Sequence, residues 1–362
     1  MKQNGLKIAF FGSSLVSAYW NGAATYYRGI IKALHARGHT VTFYEPDAYD
    51  RQANRDIPDP PYARSVVYAP DEAGVTGALR DARHADIIIK ASGVGIFDEF
   101  LEAAVLDFKT PERIVAFWDV DAPATLDRMT ADENDPFRAL VHEYDMILTY
   151  GGGDPVVDGY WKRGARICVP VYNAVDPDTH YHVPPDERFH GLLGFLGNRM
   201  PDREERVWEF FFKPAREIPG NRFLLGGNGW GENTPQLDNV TCLGHIYTRD
   251  HNAFNSTPSA VLNINRASMA EYGWSPATRV FEAAGSGACI ITDAWEGLEM
   301  FLEPGTECLV ARSGNEVAAH LASLTPERAR TIGLAALRRV LSEHTYGHRG
   351  RQLETILEEI RN

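Results

Sequence analysis

Short apolar runs alternate along the chain with stretches in which apolar residues return every three or four positions. In the first half the runs at 7–11, 41–44, 86–90, 113–117, 146–150 and 167–171 predict strands, and the spacing between them predicts helices over 22–37, 72–83, 97–107 and 155–163. In the first of these helices Ala23, Tyr27, Ile30, Ile31 and Leu34 share one face, and Gly38 stops it. The alternation resumes with strands over 192–196, 223–225, 240–243, 260–264, 289–292 and 308–311 and helices over 203–218, 314–324 and 326–341. A last amphipathic helix over 346–360 carries Leu353, Ile356, Leu357 and Ile360 on one side. Such alternation implies parallel sheets with helices on both faces, which bind ligands at the carboxyl ends of their strands. Between 175 and 189 the chain turns polar and proline-rich and loses both periods, as an interdomain linker does. His180 and His182 fall in that stretch without a third ligand nearby in sequence and read as loop residues.

Composition narrows the field. A chain of 362 residues with 44% hydrophobic and 23% charged residues is soluble globular material, comfortable for two domains. A net charge of −13 argues against a nucleic-acid groove and against a broadly basic membrane-binding face. The four cysteines are scattered and read as buried thiols of a reducing compartment. The start of the chain does not read as a signal peptide, and no stretch approaches the roughly 20 apolar residues that span a bilayer. The expectation is a cytoplasmic protein without an integral membrane segment.

The candidate chemistry centres on 271–293, EYGWSPATRVFEAAGSGACIITD, which reads as loop, short helix, tight turn and buried strand. Thr278 or Ser275 is the candidate helix cap. A helix start presents unpaired amides and a positive dipole end, which suit a phosphate, and Arg279 can face the same anion. Glu282, one turn in, can accept two hydroxyl hydrogen bonds, the chemistry of gripping a ribose; the alternative is a solvated helix residue. The loop before the first helix lacks a Gly-x-Gly-x-x-Gly run, which argues against a nicotinamide cofactor, but Gly22 permits a ligand to approach the helix amides. Gly226 to Gly231 is followed by no lysine-bearing helix, which excludes a Walker site.

The run RVFEAAGSGACIITDAWEGLEMFLEPGTECLVA resembles the nucleotide-sugar segment of GT-B glycosyltransferases, and is most similar to the CgeB-like, spore-maturation branch related to the family-four enzymes. That resemblance implies two Rossmann-like, doubly wound α/β domains facing across a cleft: 1–180 on the acceptor side, 190–343 binding the nucleotide sugar, and 344–362 as a helix crossing back. It implies a metal-independent transfer of a sugar from a nucleotide-sugar donor to a hydroxyl-bearing acceptor, with no cofactor. Glu282 matches the family's second glutamate, while Glu271, eleven positions upstream, does not match the first. Arg199 with Asn198, and also Arg203, are the candidates for the donor diphosphate, and His245 and Ile246 border the nucleobase. Asp121 first and Asp119 second are the candidates for handling the acceptor hydroxyl, or one of them caps the following turn. A nucleotide-sugar epimerase and a non-catalytic sugar or nucleotide binder remain open as alternatives.

Overall fold

The computed structural model describes residues 5–19, 21–231 and 234–361, so the predicted loop residue Trp20 lies outside the described residues. The chain divides into two compact units, residues 1–172 with 346–362, and residues 173–345.

Unit 1 is built on seven parallel strands: β1 Lys7–Phe11, β2 Thr40–Pro46, β3 Arg64–Tyr68, β4 Ile87–Ala91, β5 Ile114–Asp119, β6 Met146–Thr149 and β7 Cys168–Pro170. They lie in the order β3-β2-β1-β4-β5-β6-β7. The strands β4 and β5 are buried along their whole length, as continuous apolar runs in a doubly covered sheet must be. The pattern did not predict β3, an edge strand whose exposed Arg64 and half-buried Ser65 and Val66 break the apolar run. The predicted helix 22–37 is observed as Ala24–Ala36, closed by Gly38 at φ +94°. Beneath it Phe10, Tyr27, Phe43 and Trp118 form an aromatic core, with Phe10 5.3 Å from Phe43 and 5.6 Å from Trp118 between ring centroids. The helix Tyr346–Arg361 is part of this unit. A Cβ on Gly29 would lie 2.1 Å from the Tyr346 ring, so only glycine lets the two helices approach. Arg349 Nε donates to Tyr172 O at 3.1 Å and Gln352 Nε2 to Pro170 O at 2.9 Å.

Unit 2 has six parallel strands: β8 Leu193–Leu196, β9 Phe223–Gly226, β10 Val240–Gly244, β11 Ala260–Asn263, β12 Ile290–Asp293 and β13 Leu309–Ala311, in the order β10-β9-β8-β11-β12-β13. The helix predicted over 203–218 is interrupted. Pro201–Val207 passes into a π-helical turn, Trp208–Phe212, before Lys213–Glu217. Pro214 supplies no amide and its ring would collide with a carbonyl one turn earlier; the wider turn relieves both and still buries Phe210, Phe211 and Phe212.

Two sequence readings are corrected here. The 175–189 stretch, read as an interdomain linker, falls inside unit 2 as a strap. Its amides are taken up by side chains of the helix Thr248–Ser256 and the residue after it: Tyr181 N donates to Asn252 Oδ1 at 3.2 Å, Val183 N to Ser256 Oγ at 3.3 Å and Asp186 N to Thr257 Oγ1 at 3.0 Å. The strap needs no period of its own because its partners come from elsewhere in the chain. Of the four thiols, Cys168, Cys289 and Cys308 are buried, but Cys242 is exposed, because the edge strand β10 is only partly covered.

Candidate functional site

In unit 2 the connections reverse direction between β8 and β11, and ligands bind in such sheets at that reversal, beyond the strand ends. Arg279 spans it. Its Nε donates to Leu196 O, at the end of β8, at 2.5 Å, and its Nη1 to Asn263 Oδ1, at the end of β11, at 3.1 Å. Its guanidinium lies 5.1 Å from the Phe195 ring centroid. Arg203 lies alongside, 5.6 Å from the same ring, and donates to Asn198 O. Desolvation pushes Arg279 down to about 9, with Arg203 adding to the effect, and pushes Arg203 down to about 10. Neither arginine has an ion-pair partner among the described residues, whereas Arg206 is paired with Asp293 at 2.6 Å and Arg266 with Asp202 at 2.5 Å. Gly197 makes the room: a Cβ there would lie 2.9 Å from Arg279 Nη2 and 3.0 Å from Arg203 Nη2. Two guanidiniums thus lie side by side with no carboxylate ion-paired to either among the described residues, an arrangement that suits an anion.

The loop after β8 is clamped to the loop after β9. Asn198 Oδ1 accepts from Asn228 N at 2.9 Å, and Trp230 Nε1 donates to Gly197 O at 2.7 Å. Asn198 therefore shapes the loop through its side chain. Arg199 turns away, paired with Glu204 and 6.0 Å from the Trp230 ring centroid.

The helix Thr278–Gly285 starts with Ala277 as its cap residue and without a side-chain cap. The expected caps do not serve: Thr278 Oγ1 donates to Asn173 Oδ1 at 3.1 Å, and Ser275 is buried with its hydroxyl unpartnered. The starting amides consequently remain available to an anion. Glu282 follows one turn on, its side chain 12% exposed, with Oε1 3.8 Å from His180 Nε2. His180, read from sequence as a loop residue, is 2% exposed and clusters with His251 and Glu282. Sequence reasoning missed this because His251 and Glu282 stand far along the chain. Glu271 is exposed, near the end of the helix Ala267–Tyr272, and the loop that follows holds Trp274 in left-handed conformation at φ +41°. Ile246 is buried against Leu224 and Phe254, its carbonyl 3.2 Å from His251 Nε2, while His245 is exposed and meets Tyr247 edge-on at 4.6 Å.

In unit 1 the two aspartates differ. Asp119, at the end of β5, is fully buried. It accepts from Ser92 Oγ at 2.8 Å, from Asp121 N at 3.0 Å and from Tyr160 Oη at 2.5 Å. Burial and the adjacent Asp119 hold the Tyr160 hydroxyl well above its ordinary range, so it stays a donor. Asp119 thus fixes the turn, while Asp121 is half-buried at the start of the helix Ala122–Ala131 and makes no side-chain cap. Gly22 is exposed, with nothing within 4 Å of where a Cβ would stand.

Two doubly wound parallel-sheet units in one chain define the GT-B fold. Residues 203–355 match the family model described as "Glycosyl transferase-like". No curated protein sequence matches the chain. Among solved structures, an α-glucosyltransferase in complex with UDP-glucose and DNA containing an abasic site aligns with a TM-score of 0.72 at 12% identity, over 98% of this chain and 100% of its own. Sucrose-phosphate synthase from Thermosynechococcus elongatus gives 0.69 at 14% identity, over 98% and 99%. HepE from Anabaena in complex with UDP-glucose gives 0.68 at 13%, over 98% and 100%. The chain thus shares the GT-B fold with these structures, and residues 203–355 resemble glycosyltransferases in sequence. Among the described residues, no helix is long and apolar enough to cross a membrane.

Proposed function

We propose that the protein transfers a sugar from a nucleoside-diphosphate sugar, held by unit 2, to a hydroxyl-bearing acceptor. The observation that carries this reading is Arg279, bonded to the ends of β8 and β11 at the sheet's reversal beside Arg203, neither ion-paired among the described residues. In this reading the two guanidiniums and the uncapped amides of Thr278–Gly285 hold the diphosphate, and Glu282 accepts hydrogen bonds from the ribose hydroxyls. The main chain around His245 and Ile246 borders the base. The bond from the anomeric carbon to the diphosphate oxygen breaks, the acceptor oxygen bonds to that carbon, and the hydroxyl proton passes to a general base. The arginines neutralise the charge that develops on the leaving diphosphate, so the step needs no metal. Because two structures of this fold, HepE and an α-glucosyltransferase, were solved in complex with UDP-glucose, UDP-glucose is the first donor to test. The CgeB-like branch is the family position proposed from the Arg279 to Ala311 segment.

The test is a nucleotide-sugar panel read first by thermal shift and then by release of nucleoside diphosphate. A donor at about 100 times its Kd stabilises the native state by about 2.7 kcal/mol, a readable shift. Glu282→Ala is expected to remove the shift. A panel in which no donor either stabilises the protein or is consumed sinks the proposal.

A further inference from the structure

We propose that His180, His251 and Glu282 form a divalent-cation site of the zinc type within unit 2. One potential ligand atom from each lies within 4.8 Å of the others. The hydrogen bonds behind the two imidazoles decide which nitrogen faces the cluster. His251 Nε2 is 3.2 Å from Ile246 O, and a carbonyl only accepts, so that nitrogen carries the hydrogen. Thr179 Oγ1, 3.2 Å from Asp176 O and 3.0 Å from His180 Nδ1, donates to the carbonyl and accepts from that nitrogen in the tautomer that suits a metal. What remains is a lone pair on His180 Nε2 and another on His251 Nδ1, and both atoms are buried without a hydrogen-bond partner. The His180 side chain is 1% exposed, and its Nε2 faces Glu282 Oε1 at 3.8 Å.

In that tautomer three acceptors converge with no donor among them. Buried acceptors are costly unless something positive joins them, and two imidazoles with one carboxylate are a zinc ligand set that leaves a fourth position open. Each histidine also has the outer-shell partner that fixes its tautomer in metal sites. Binding would draw the ligand atoms in to about 3.3 Å apart, the edge of a tetrahedron with bonds near 2.0–2.1 Å. The cation would join the strap carrying His180, the helix Thr248–Ser256 carrying His251 and the helix Thr278–Gly285 carrying Glu282. Gly285 already permits the closeness this needs, because a Cβ there would lie 3.2 Å from His180 O. The inference does not rest on the donor reading. Glu282 Oε1 is the oxygen that faces the histidines.

The experiment strips the full-length protein with chelator and titrates it with Co2+ and then Zn2+, reading visible absorption and Tm. A 1:1 site should give the strong absorption of a tetrahedral Co2+ centre, bleached by Zn2+, and a Tm rise of roughly 5 °C at saturating Zn2+. His180→Asn and His251→Ala, each checked by circular dichroism, should lose both responses. Wild-type protein with neither absorption nor a Tm response overturns the proposal and leaves a proton as the positive partner of the cluster; variants that respond like wild type overturn it too. UDP titrated into the stripped protein reads the donor site separately. Binding without metal leaves the donor reading standing whatever the metal result.

Discussion

A guanidinium enclosed at the end of an apolar sheet is costly unless an anion answers it, and among the described residues neither Arg279 nor Arg203 is ion-paired with a carboxylate. Arg279→Ala should weaken UDP about 10- to 100-fold while leaving uridine unchanged, since a hydrogen bond to a charged group contributes about 1.5–3 kcal/mol. Calorimetry with both ligands reads the difference. The sequence pointed at Arg279 through its place early in a helix, but it favoured Arg199 over Arg203. Strand-then-arginine is the pattern both satisfy; which one turns inward depends on Glu204 and Trp230, whose pairing with Arg199 no local spacing encodes. Asp119 shows the same limit, since its three donors come from Ser92, Tyr160 and its own turn. Asp119→Ala should lower stability by about 3 kcal/mol or more, because it leaves buried donors unpaired, and a urea midpoint checks this. Burial pushes the Cys168, Cys289 and Cys308 thiols up to about 12, so a thiol reagent should modify one of the four cysteines, Cys242, in the native protein and all four after unfolding.

At the scale of elements, the helix Thr278–Gly285 is held by contacts that only glycine allows. A Cβ on Gly285 would lie 2.5 Å from Val175 Cγ2, and one on Gly333, in the helix Pro326–Glu343, 2.1 Å from Gly287 O. Gly285→Ala should cost about 1–3 kcal/mol as overpacking against a movable side chain. Gly333→Ala should cost more, because it meets main chain, and paired denaturant melts give the order. Strands buried on both faces were legible from continuous apolar runs, and most helices from their period. The edge strand β3, the π turn at Pro214 and the strap were not: each is set by what lies beside it in space rather than along the chain. The histidine cluster was hidden for the same reason, its members spread across strap and two helices.

For the whole molecule, the order of strands and helices was enough to give two Rossmann-like units and the GT-B fold, because alternation and handedness leave few topologies. The helix Tyr346–Arg361 completes unit 1 from the far end of the sequence, covering Gly29 with Tyr346 and pairing Arg37 with Glu354. A chain cut after Thr345 should therefore lose the unfolding transition of unit 1, or have it shifted down by roughly 10 °C, while that of unit 2 persists; calorimetric scans of the two lengths test this. The nucleoside-diphosphate site proposed for unit 2 lies at the reversal of its sheet. Titration calorimetry of UDP against wild type and the Arg203→Ala, Arg279→Ala double variant measures that directly. Saturable 1:1 binding that the double variant loses by at least tenfold, on a chain that still melts cooperatively, is the predicted result; equal affinity in both proteins, or no binding to wild type, contradicts it.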